Sequence, residues 1–235
     1  MGAGGCVKKA AFRPPADYSL RHFVMKLEAI IFDFDGTLAE LNIDFDGLRA
    51  QVHERARRLG FSGAWPGGYL LEEVEALAED LGQGFVQEAI ALIQQAEMEA
   101  ARRARLFPYT RGLLVQARKM DYRLAVISRN CGPAIRTVFP EIDDQDLVFL
   151  PREVVEKPKP HPSHLLAACL ALEARPEASV VVGDHPLDIT AALAAGCLAV
   201  GVASGRMSAD DLRQAGAALV LPDASNLLAQ LETLL

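Results

Sequence analysis

Two aspartates separated by one residue lie directly after an apolar run near the start of the chain. Asp33 and Asp35 follow residues 27–32, whose sequence LEAIIF is typical of a buried strand, and Gly36 and Thr37 come next. A charged side chain at the end of a buried strand costs several kcal/mol unless it is paired or binds a metal. We therefore interpret the two carboxylates as functional groups rather than as turn or cap residues.

Polar side chains also follow the apolar runs that we interpret as later strands. They are Ser128, Arg129 and Asn130 after residues 124–127, and Asp184 and Asp188 after residues 180–182. A stiff cationic segment, residues 157–162 with the sequence KPKPHP, lies between these two groups. Several carboxylates that converge on one rim repel one another, so they need a cation, and all-oxygen ligands favour Mg²⁺. Ser128, the backbone N–H groups behind it and a lysine then suit a phosphoryl group.

The order of the apolar runs predicts the fold class. Continuous β-branched strands alternate with helices after residue 108, which indicates a parallel sheet covered on both faces. We predict an α/β fold with a doubly wound, Rossmann-like parallel-sheet core formed by residues 26–38 and 108–235. In such sheets ligands bind at the carboxyl ends of the strands, where the polar side chains lie.

Residues 39–107 interrupt this core, and their spacing predicts an inserted α-helical cap domain. We predict three helices here, over residues 45–59, 70–81 and 85–106. The acidic side chains of the second helix, Glu73 among them, should face water. Residues that select the substrate should lie in the cap, around residues 43–49 and 63–69.

Composition limits the classes of protein to consider. The chain has 235 residues, of which 51% are hydrophobic, so it can bury a sizeable core. Its net charge of −7 argues against a general nucleic-acid binder, and no apolar run is long and uncharged enough to span a membrane. The four cysteines match neither zinc spacing nor a disulfide framework, which favours a cytoplasmic protein. We expect a monomer or homodimer, with a poorly structured N-terminal tail over residues 1–25.

The four motifs, in this order, resemble those of the haloacid dehalogenase superfamily. They are Asp-x-Asp-Gly-Thr from Asp33, a serine after a strand at Ser128, Lys-Pro-x-Pro, and Gly-Asp-x-x-x-Asp from Gly183. The resemblance covers residues 26–235, and the insertion is similar to the C1 cap of phosphoglycolate phosphatase and β-phosphoglucomutase relatives. It implies a Mg²⁺-dependent phosphatase that acts on a small phosphorylated metabolite, most like phosphoglycolate phosphatase.

The resemblance also implies roles for single residues. Asp33 is the nucleophile that forms an aspartyl-phosphate, and Asp35 is first the general acid and then the general base. Thr37 helps to orient Asp35. The implied groups around Mg²⁺ are Asp33, the backbone carbonyl of Asp35, Asp184, and Asp188, the last bonding the waters of the ion or the active-site lysine.

The implied phosphate contacts come from the loop after the second strand and from one lysine. Ser128 hydrogen-bonds a phosphoryl oxygen, and Asn130 lies in the same loop. Arg129 stands where many relatives carry Asn, so we expect its amide to bind phosphate and its side chain to add selectivity. Both Lys157 and Lys159 satisfy the family pattern. We prefer Lys159, because in relatives two residues follow the second proline before an apolar helix.

Four histidines have structural interpretations, and two alternative functions fit the same motifs. We interpret His161 and His164 as loop and helix-surface residues, His53 as exposed, and His185 as structural. A phosphomutase, which passes the phosphoryl group to a second sugar hydroxyl instead of water, is the first alternative function. A non-catalytic regulator that keeps the fold and senses a ligand is the second.

Overall fold

The computed structural model describes residues 26–234, so the predicted tail lies outside the described residues. The strands are β1 (Ala29–Phe32), β2 (Ala39–Glu40), β3 (Arg105–Leu106), β4 (Arg123–Ile127), β5 (Val148–Leu150), β6 (Ser179–Gly183), β7 (Leu198–Val202) and β8 (Leu219–Leu221). The helices are α1 (Phe45–Arg58), α2 (Leu70–Ala76), α3 (Ala78–Ala101), α4 (Thr110–Lys119), α5 (Gly132–Val138), α6 (Ser163–Ala171), α7 (Pro186–Ala195), α8 (Ala209–Gln214) and α9 (Leu227–Leu234).

Six strands form one parallel sheet in the order β5-β4-β1-β6-β7-β8. All four residues of β1 are fully buried because both faces of the sheet are covered. Ile30 and Phe32 belong to the apolar cluster on one face, whereas Ala29 and Ile31 belong to the cluster on the other. This arrangement confirms the predicted doubly wound α/β fold.

The central position of β1 brings three strand ends together. Phe32, the last residue of β1, pairs with Val126 of β4 on one side and with Val182 of β6 on the other. The residues that follow these three strands therefore leave the sheet at the same edge. They are the segments that carry Asp33, Ser128 and Asp184.

A two-stranded antiparallel ribbon lies at the base of the insertion. β2 pairs with β3 through Ala39 with Leu106 and Glu40 with Arg105, so the chain enters and leaves the insertion at adjacent points. Helices α1, α2 and α3 lie between the two strands in sequence. The prediction of a helix through residue 106 is wrong, because that helix ends at Ala101 and β3 follows.

The boundary between the second and third helices also differs from the prediction. Helix α2 ends at Ala76 and α3 begins at Ala78, whereas we expected one helix over residues 70–81. The backbone irregularity near the expected boundary is a kink inside α3 at Gly82, which has a φ of 75°. Glycine adopts this left-handed conformation without the steric cost that a Cβ imposes, so the helix bends and then continues.

Two side chains of the insertion are more buried than expected. Glu73 is 1% exposed and accepts hydrogen bonds from Arg49 and from His53 Nε2, the latter at 2.7 Å. His53 also stacks on Trp65 with the ring centroids 3.7 Å apart. The predictions of a water-facing Glu73 and an exposed His53 are therefore wrong. Among the described helices, none combines the length and apolarity that crossing a membrane requires.

Candidate active site

Asp33 is fixed at the end of β1 and paired with a buried lysine. Its backbone N–H donates to Val182 O at 2.8 Å, which holds the residue against β6. Lys159 Nζ lies 2.5 Å from Asp33 Oδ1 and 2.5 Å from Asp188 Oδ1. Lys159 is 1% exposed, whereas Lys157 faces solvent. The structure therefore brings Lys159, and not Lys157, to the carboxylate cluster.

His164 supports this lysine from behind. The Lys159 N–H donates to His164 Nδ1 at 3.3 Å, and His164 Nε2 lies 3.0 Å from Leu150 O. Burial and the nearby Lys159 charge lower the pKa of His164 to about 4, so the ring is neutral and Nε2 carries its proton. The prediction that His164 lies on the helix surface is wrong, because the residue is fully buried.

Three carboxylates converge beside Lys159. Oxygen atoms of Asp33, Asp184 and Asp188 all lie within 4.8 Å of one another. Burial, together with Asp33 and Asp188, raises the pKa of Asp184 to about 8. Burial also raises the pKa of Asp33 to about 7, against the opposing charge of Lys159. Three buried carboxylates facing one ammonium leave excess negative charge, which a hard divalent cation with oxygen ligands would neutralise.

Two glycines allow the backbone to approach Asp184. A Cβ at Gly205 would lie 1.7 Å from Asp184 Oδ2, and one at Gly36 would lie 2.3 Å from the same oxygen. Gly36 also has a φ of 80°, a conformation that favours glycine. The loops after β1 and β7 therefore close around the Asp184 carboxylate because neither carries a side chain there.

Asp35 and Thr37 lie in the turn after β1 but outside the carboxylate cluster. Asp35 Oδ1 accepts the Leu41 N–H at 2.9 Å, and burial raises the pKa of Asp35. Thr37 Oγ1 is buried and has no hydrogen-bond partner within the described part of the chain, so Thr37 does not bond Asp35 here. The Tyr109 hydroxyl donates to Thr37 O at 2.9 Å, which fixes the turn from the core side.

The loop after β4 is folded around Ser128. The Asn130 N–H donates to Ser128 Oγ at 3.1 Å, and both residues are buried. The side chain of Arg129 turns away toward the insertion, where it binds Glu72 of α2 with two contacts of 2.6 and 2.7 Å. Arg129 also donates to Lys159 O, and its guanidinium lies 5.6 Å from the centre of the Tyr69 ring. Arg129 therefore connects the insertion with the core.

Sequence motifs did not identify Glu97 and Arg152, which contact this loop. Glu97 Oε2 accepts the Cys131 N–H at 3.0 Å, and Arg152 donates to Glu97 Oε1. The sequence carries one signal for Glu97. It continues a stripe of buried apolar residues at intervals of four along α3, formed by Phe85, Ala89, Ile93 and Ala101.

A cavity of about 420 Å³ lies between the insertion and the strand ends. Its floor includes Asp33, Asp35 and Lys159, and its other walls include Phe45 and Arg49 of the insertion. Pockets of this size can bury most of the surface of a small molecule. The arrangement can therefore present a carboxylate nucleophile, a second carboxyl group and an ammonium to one small ligand.

Comparison with known proteins agrees with this geometry. The pattern of the haloacid dehalogenase-like hydrolase family matches residues 30–202. Phosphoglycolate phosphatase from Pseudomonas syringae pv. tomato is 27% identical over 214 residues, covering 85% of this chain and 78% of that one. N-acetylmuramic acid 6-phosphate phosphatase from Pseudomonas putida is 25% identical over 195 residues, which cover 80% of this chain and 87% of that protein. The crystal structure of a hydrolase from Pseudomonas syringae superposes with a TM-score of 0.70 at 22% identity, and the superposition covers 88% of this chain and 98% of that one. The sequence resemblance is thus confirmed, and the chain belongs to the haloacid dehalogenase-like hydrolases.

Proposed function

We propose that this protein is a Mg²⁺-dependent phosphomonoester hydrolase that acts on a small phosphorylated metabolite through an aspartyl-phosphate at Asp33. The observation that carries the proposal is the buried contact of 2.5 Å between Lys159 Nζ and Asp33 Oδ1, beside Asp184 and Asp188. The similar proteins named above as phosphatases act on phosphoglycolate and on a sugar acid phosphate. Both names support a small phosphomonoester as the substrate class.

The first half of the reaction uses Asp33 and Asp35. An oxygen of Asp33 attacks phosphorus, so the bond to Asp33 forms while the bond to the leaving oxygen breaks. Asp35 gives its proton to that leaving oxygen. Burial raises the pKa of Asp35, which keeps a proton on this carboxyl group at a higher pH than is usual for aspartic acid.

The second half returns Asp33 to its starting state. Asp35, now a carboxylate, removes a proton from water, and the oxygen of that water attacks phosphorus and releases Asp33. Lys159, whose Nζ lies 2.5 Å from Asp33 Oδ1, neutralises charge that the carboxylate and phosphoryl oxygens share. Ser128 and the backbone N–H of Arg129 donate hydrogen bonds to the phosphoryl oxygens.

The carboxylate cluster fits a divalent cation. Asp33, Asp184 and the backbone carbonyl of Asp35 would hold Mg²⁺, and Asp188 would bond its waters while it keeps Lys159 in place. When bound, the ion supplies positive charge for the phosphoryl oxygens. We also propose residues 39–107 as the cap domain that covers the cavity and selects the substrate.

A phosphate-release assay tests the proposal. Purified protein is incubated with a panel of small phosphoesters, with Mg²⁺ and with EDTA, and inorganic phosphate is measured. We expect release from at least one phosphoester with Mg²⁺ and none with EDTA. Asp33→Asn should lower kcat by about 1,000-fold or more, whereas Asp210→Asn, which changes a side chain that is 81% exposed, should match the wild type.

Other outcomes of the same assay would contradict the proposal. A phosphomutase would interconvert sugar phosphates without releasing phosphate. A regulator would bind a phosphorylated ligand and turn over none of the panel. Full activity in Asp33→Asn would show that another group is the nucleophile.

A further inference from the structure

Glu97 is a buried carboxylate in the middle of an apolar helix face. It is 3% exposed and lies four residues after Ile93 and four before Ala101, both of which are buried. A buried carboxylate costs several kcal/mol unless charge and hydrogen bonds compensate it. Helix packing alone would be served better by an apolar side chain at this position, so the acid is held here by its partners.

Those partners all belong to the two loops that follow β4 and β5. Arg152, whose side chain is 8% exposed, donates to Glu97 Oε1 and, at 2.8 Å, to Arg129 O. Glu97 Oε2 accepts the Cys131 N–H at 3.0 Å, and Asn130 Nδ2 lies 3.5 Å from Oε1. One carboxylate of α3 therefore compensates a cation from the core and satisfies a backbone donor of the loop after β4.

That loop is the one to which the proposed function assigns the phosphoryl group. Ser128 and Asn130 bond each other within the loop, while Arg152 holds Arg129 O and Glu97 holds the Cys131 N–H. Backbone donors bind an anion well only when their directions are fixed before it arrives. The contacts of Arg152 with Arg129 O and of Glu97 with the Cys131 N–H fix the backbone of the loop next to these donors.

Charge explains why the partner of Glu97 is an arginine. Glu97 and Asn130 both line the cavity, so an uncompensated carboxylate at residue 97 would repel a phosphoryl group. The Arg152 guanidinium cancels that charge in a place where water cannot screen it. Glu97 can therefore act as a hydrogen-bond acceptor for the loop without weakening the binding of an anion.

We propose that Glu97 and Arg152 form a positioning pair that makes the geometry of loop 128–131 depend on the placement of helix α3. Neither residue touches the reacting atoms. The inference rests on the proposed function, because it assumes that this loop binds the phosphoryl group. It adds that a residue of the cap, distant in sequence from every catalytic motif, sets the affinity of the core for phosphate.

Two double variants separate positioning from mere packing. Glu97→Gln with Arg152→Met removes both charges but leaves an oxygen that accepts the Cys131 N–H. Glu97→Leu with Arg152→Met removes the charges and that acceptor as well. Replacing a buried ion pair by neutral side chains of similar volume is often tolerated, so both should fold. The measurements are the inhibition constant of inorganic phosphate against p-nitrophenyl phosphate, kcat/KM, and the urea unfolding midpoint.

The Gln variant keeps the contact with the Cys131 N–H but loses the Arg152 contact with Arg129 O, so we expect its phosphate inhibition to be about threefold weaker than that of the wild type. For the Leu variant we expect inhibition at least about tenfold weaker, with a parallel fall in kcat/KM and a similar unfolding midpoint. Glu97→Asp decides the question if the Leu variant fails to fold. It keeps the ion pair but withdraws the acceptor from Cys131, and should weaken phosphate inhibition by about fivefold.

The activity of the wild-type protein distinguishes failure of the proposed function from failure of the positioning proposal. If it releases no phosphate from any phosphoester, the proposed function is wrong, and the pair has no phosphate loop to position. If it is active while both double variants and Glu97→Asp bind phosphate as the wild type does, the proposed function stands. The positioning role of Glu97 is then wrong.

Discussion

Lys159 reaches Asp33 from a segment that contains two lysines in nearly identical settings, Lys-Pro-Lys-Pro and Lys-Pro-His-Pro. Only the side chain of Lys159 is buried, with the attraction of Asp188 and Asp33 outweighing the cost of burial and raising the pKa of Lys159. The lysine is therefore charged throughout the range in which a phosphatase would be assayed. Its position depends on two carboxylates rather than on the local sequence.

This difference predicts unequal effects of the same substitution. Lys159→Met should lower kcat/KM for p-nitrophenyl phosphate by about 100-fold or more, because a preorganised charge beside the phosphoryl oxygens is lost. Lys157→Met removes an equal charge from the exposed position two residues away and should retain wild-type activity. Equal losses in both variants would contradict the assignment of Lys159.

His164 predicts a change of stability with pH. The folded state holds the ring neutral down to about pH 4, whereas the unfolded ring protonates below its ordinary pKa of 6.5. The contribution of His164 is therefore complete above 6.5 and is lost as the pH falls toward 4. Relative to His164→Asn, which does not titrate, the wild type should lose about 2 kcal/mol of unfolding free energy between about pH 7 and about pH 5.

Urea titrations of both proteins at the two pH values measure this loss. The side-chain oxygen of Asn can still accept the Lys159 N–H, so the comparison isolates the proton. Parallel pH profiles for wild type and variant would show that the imidazole does not titrate differently on folding.

At the residue scale, the sequence predicted the groups that local pattern determines. Asp33 and Asp184 each follow an apolar strand directly, so strand assignment alone places them at the sheet edge. Glu97 lies in a helix and Arg152 lies two residues after β5, and their contact with the loop after β4 depends on how α3 packs there, which no local pattern shows. His164 was assigned to the surface for the same reason, since its partners lie on other segments of the chain.

At the scale of elements, the core was predicted more closely than the insertion. Continuous β-branched runs such as residues 180–182 have few alternatives to a buried parallel strand. The insertion offers weaker signals. The break at Leu77 carries neither glycine nor proline, and the two residues of β3 form a strand only because they pair with β2. Pairing between distant residues leaves no local pattern.

The close approach of the loop after β7 to the Asp184 carboxylate gives a testable prediction. Gly205→Ala places a Cβ 1.7 Å from Asp184 Oδ2, so the carboxylate or the loop must move. The Mg²⁺ concentration for half-maximal phosphate release should rise by about tenfold or more. Gly84→Ala is the control, since a Cβ there meets nothing within 4 Å and should stabilise α3 by roughly 0.5–1 kcal/mol. Unchanged Mg²⁺ dependence in Gly205→Ala would separate Asp184 from the metal site.

At the scale of the whole molecule, the titration of the carboxylate cluster is coupled to folding. The pKa of Asp184 is raised to about 8 and that of Asp33 to about 7, both above their ordinary value of 3.8. Without metal, the stability tied to their protonated forms is complete below about pH 4 and is lost as the pH rises toward 8. A bound cation reverses this loss because it favours the carboxylates.

Thermal unfolding with and without Mg²⁺ tests that coupling. At one fixed Mg²⁺ concentration, about 100-fold above the Kd measured at about pH 8, the Tm at that pH should rise by roughly 5–10 °C. The rise should be larger at about pH 8 than at about pH 6, where protons compete for the cluster. Asp184→Asn should abolish the shift, whereas Asp210→Asn should keep it. If Mg²⁺ leaves the Tm unchanged at both pH values, this result would argue against a metal site in this cluster.

The ribbon of β2 and β3 has a consequence for how such enzymes diversify. Because the chain departs and returns at neighbouring residues, a transplanted segment could begin at Glu40 and finish at Arg105 without disturbing the six-stranded scaffold. The residues that contact the substrate from the insertion could then be replaced as one segment, while the side chains at the strand ends stay in place. Two core arginines limit such an exchange: a graft must supply one acid opposite Arg152 and another opposite Arg129, or it leaves two largely buried guanidinium groups without their carboxylate partners.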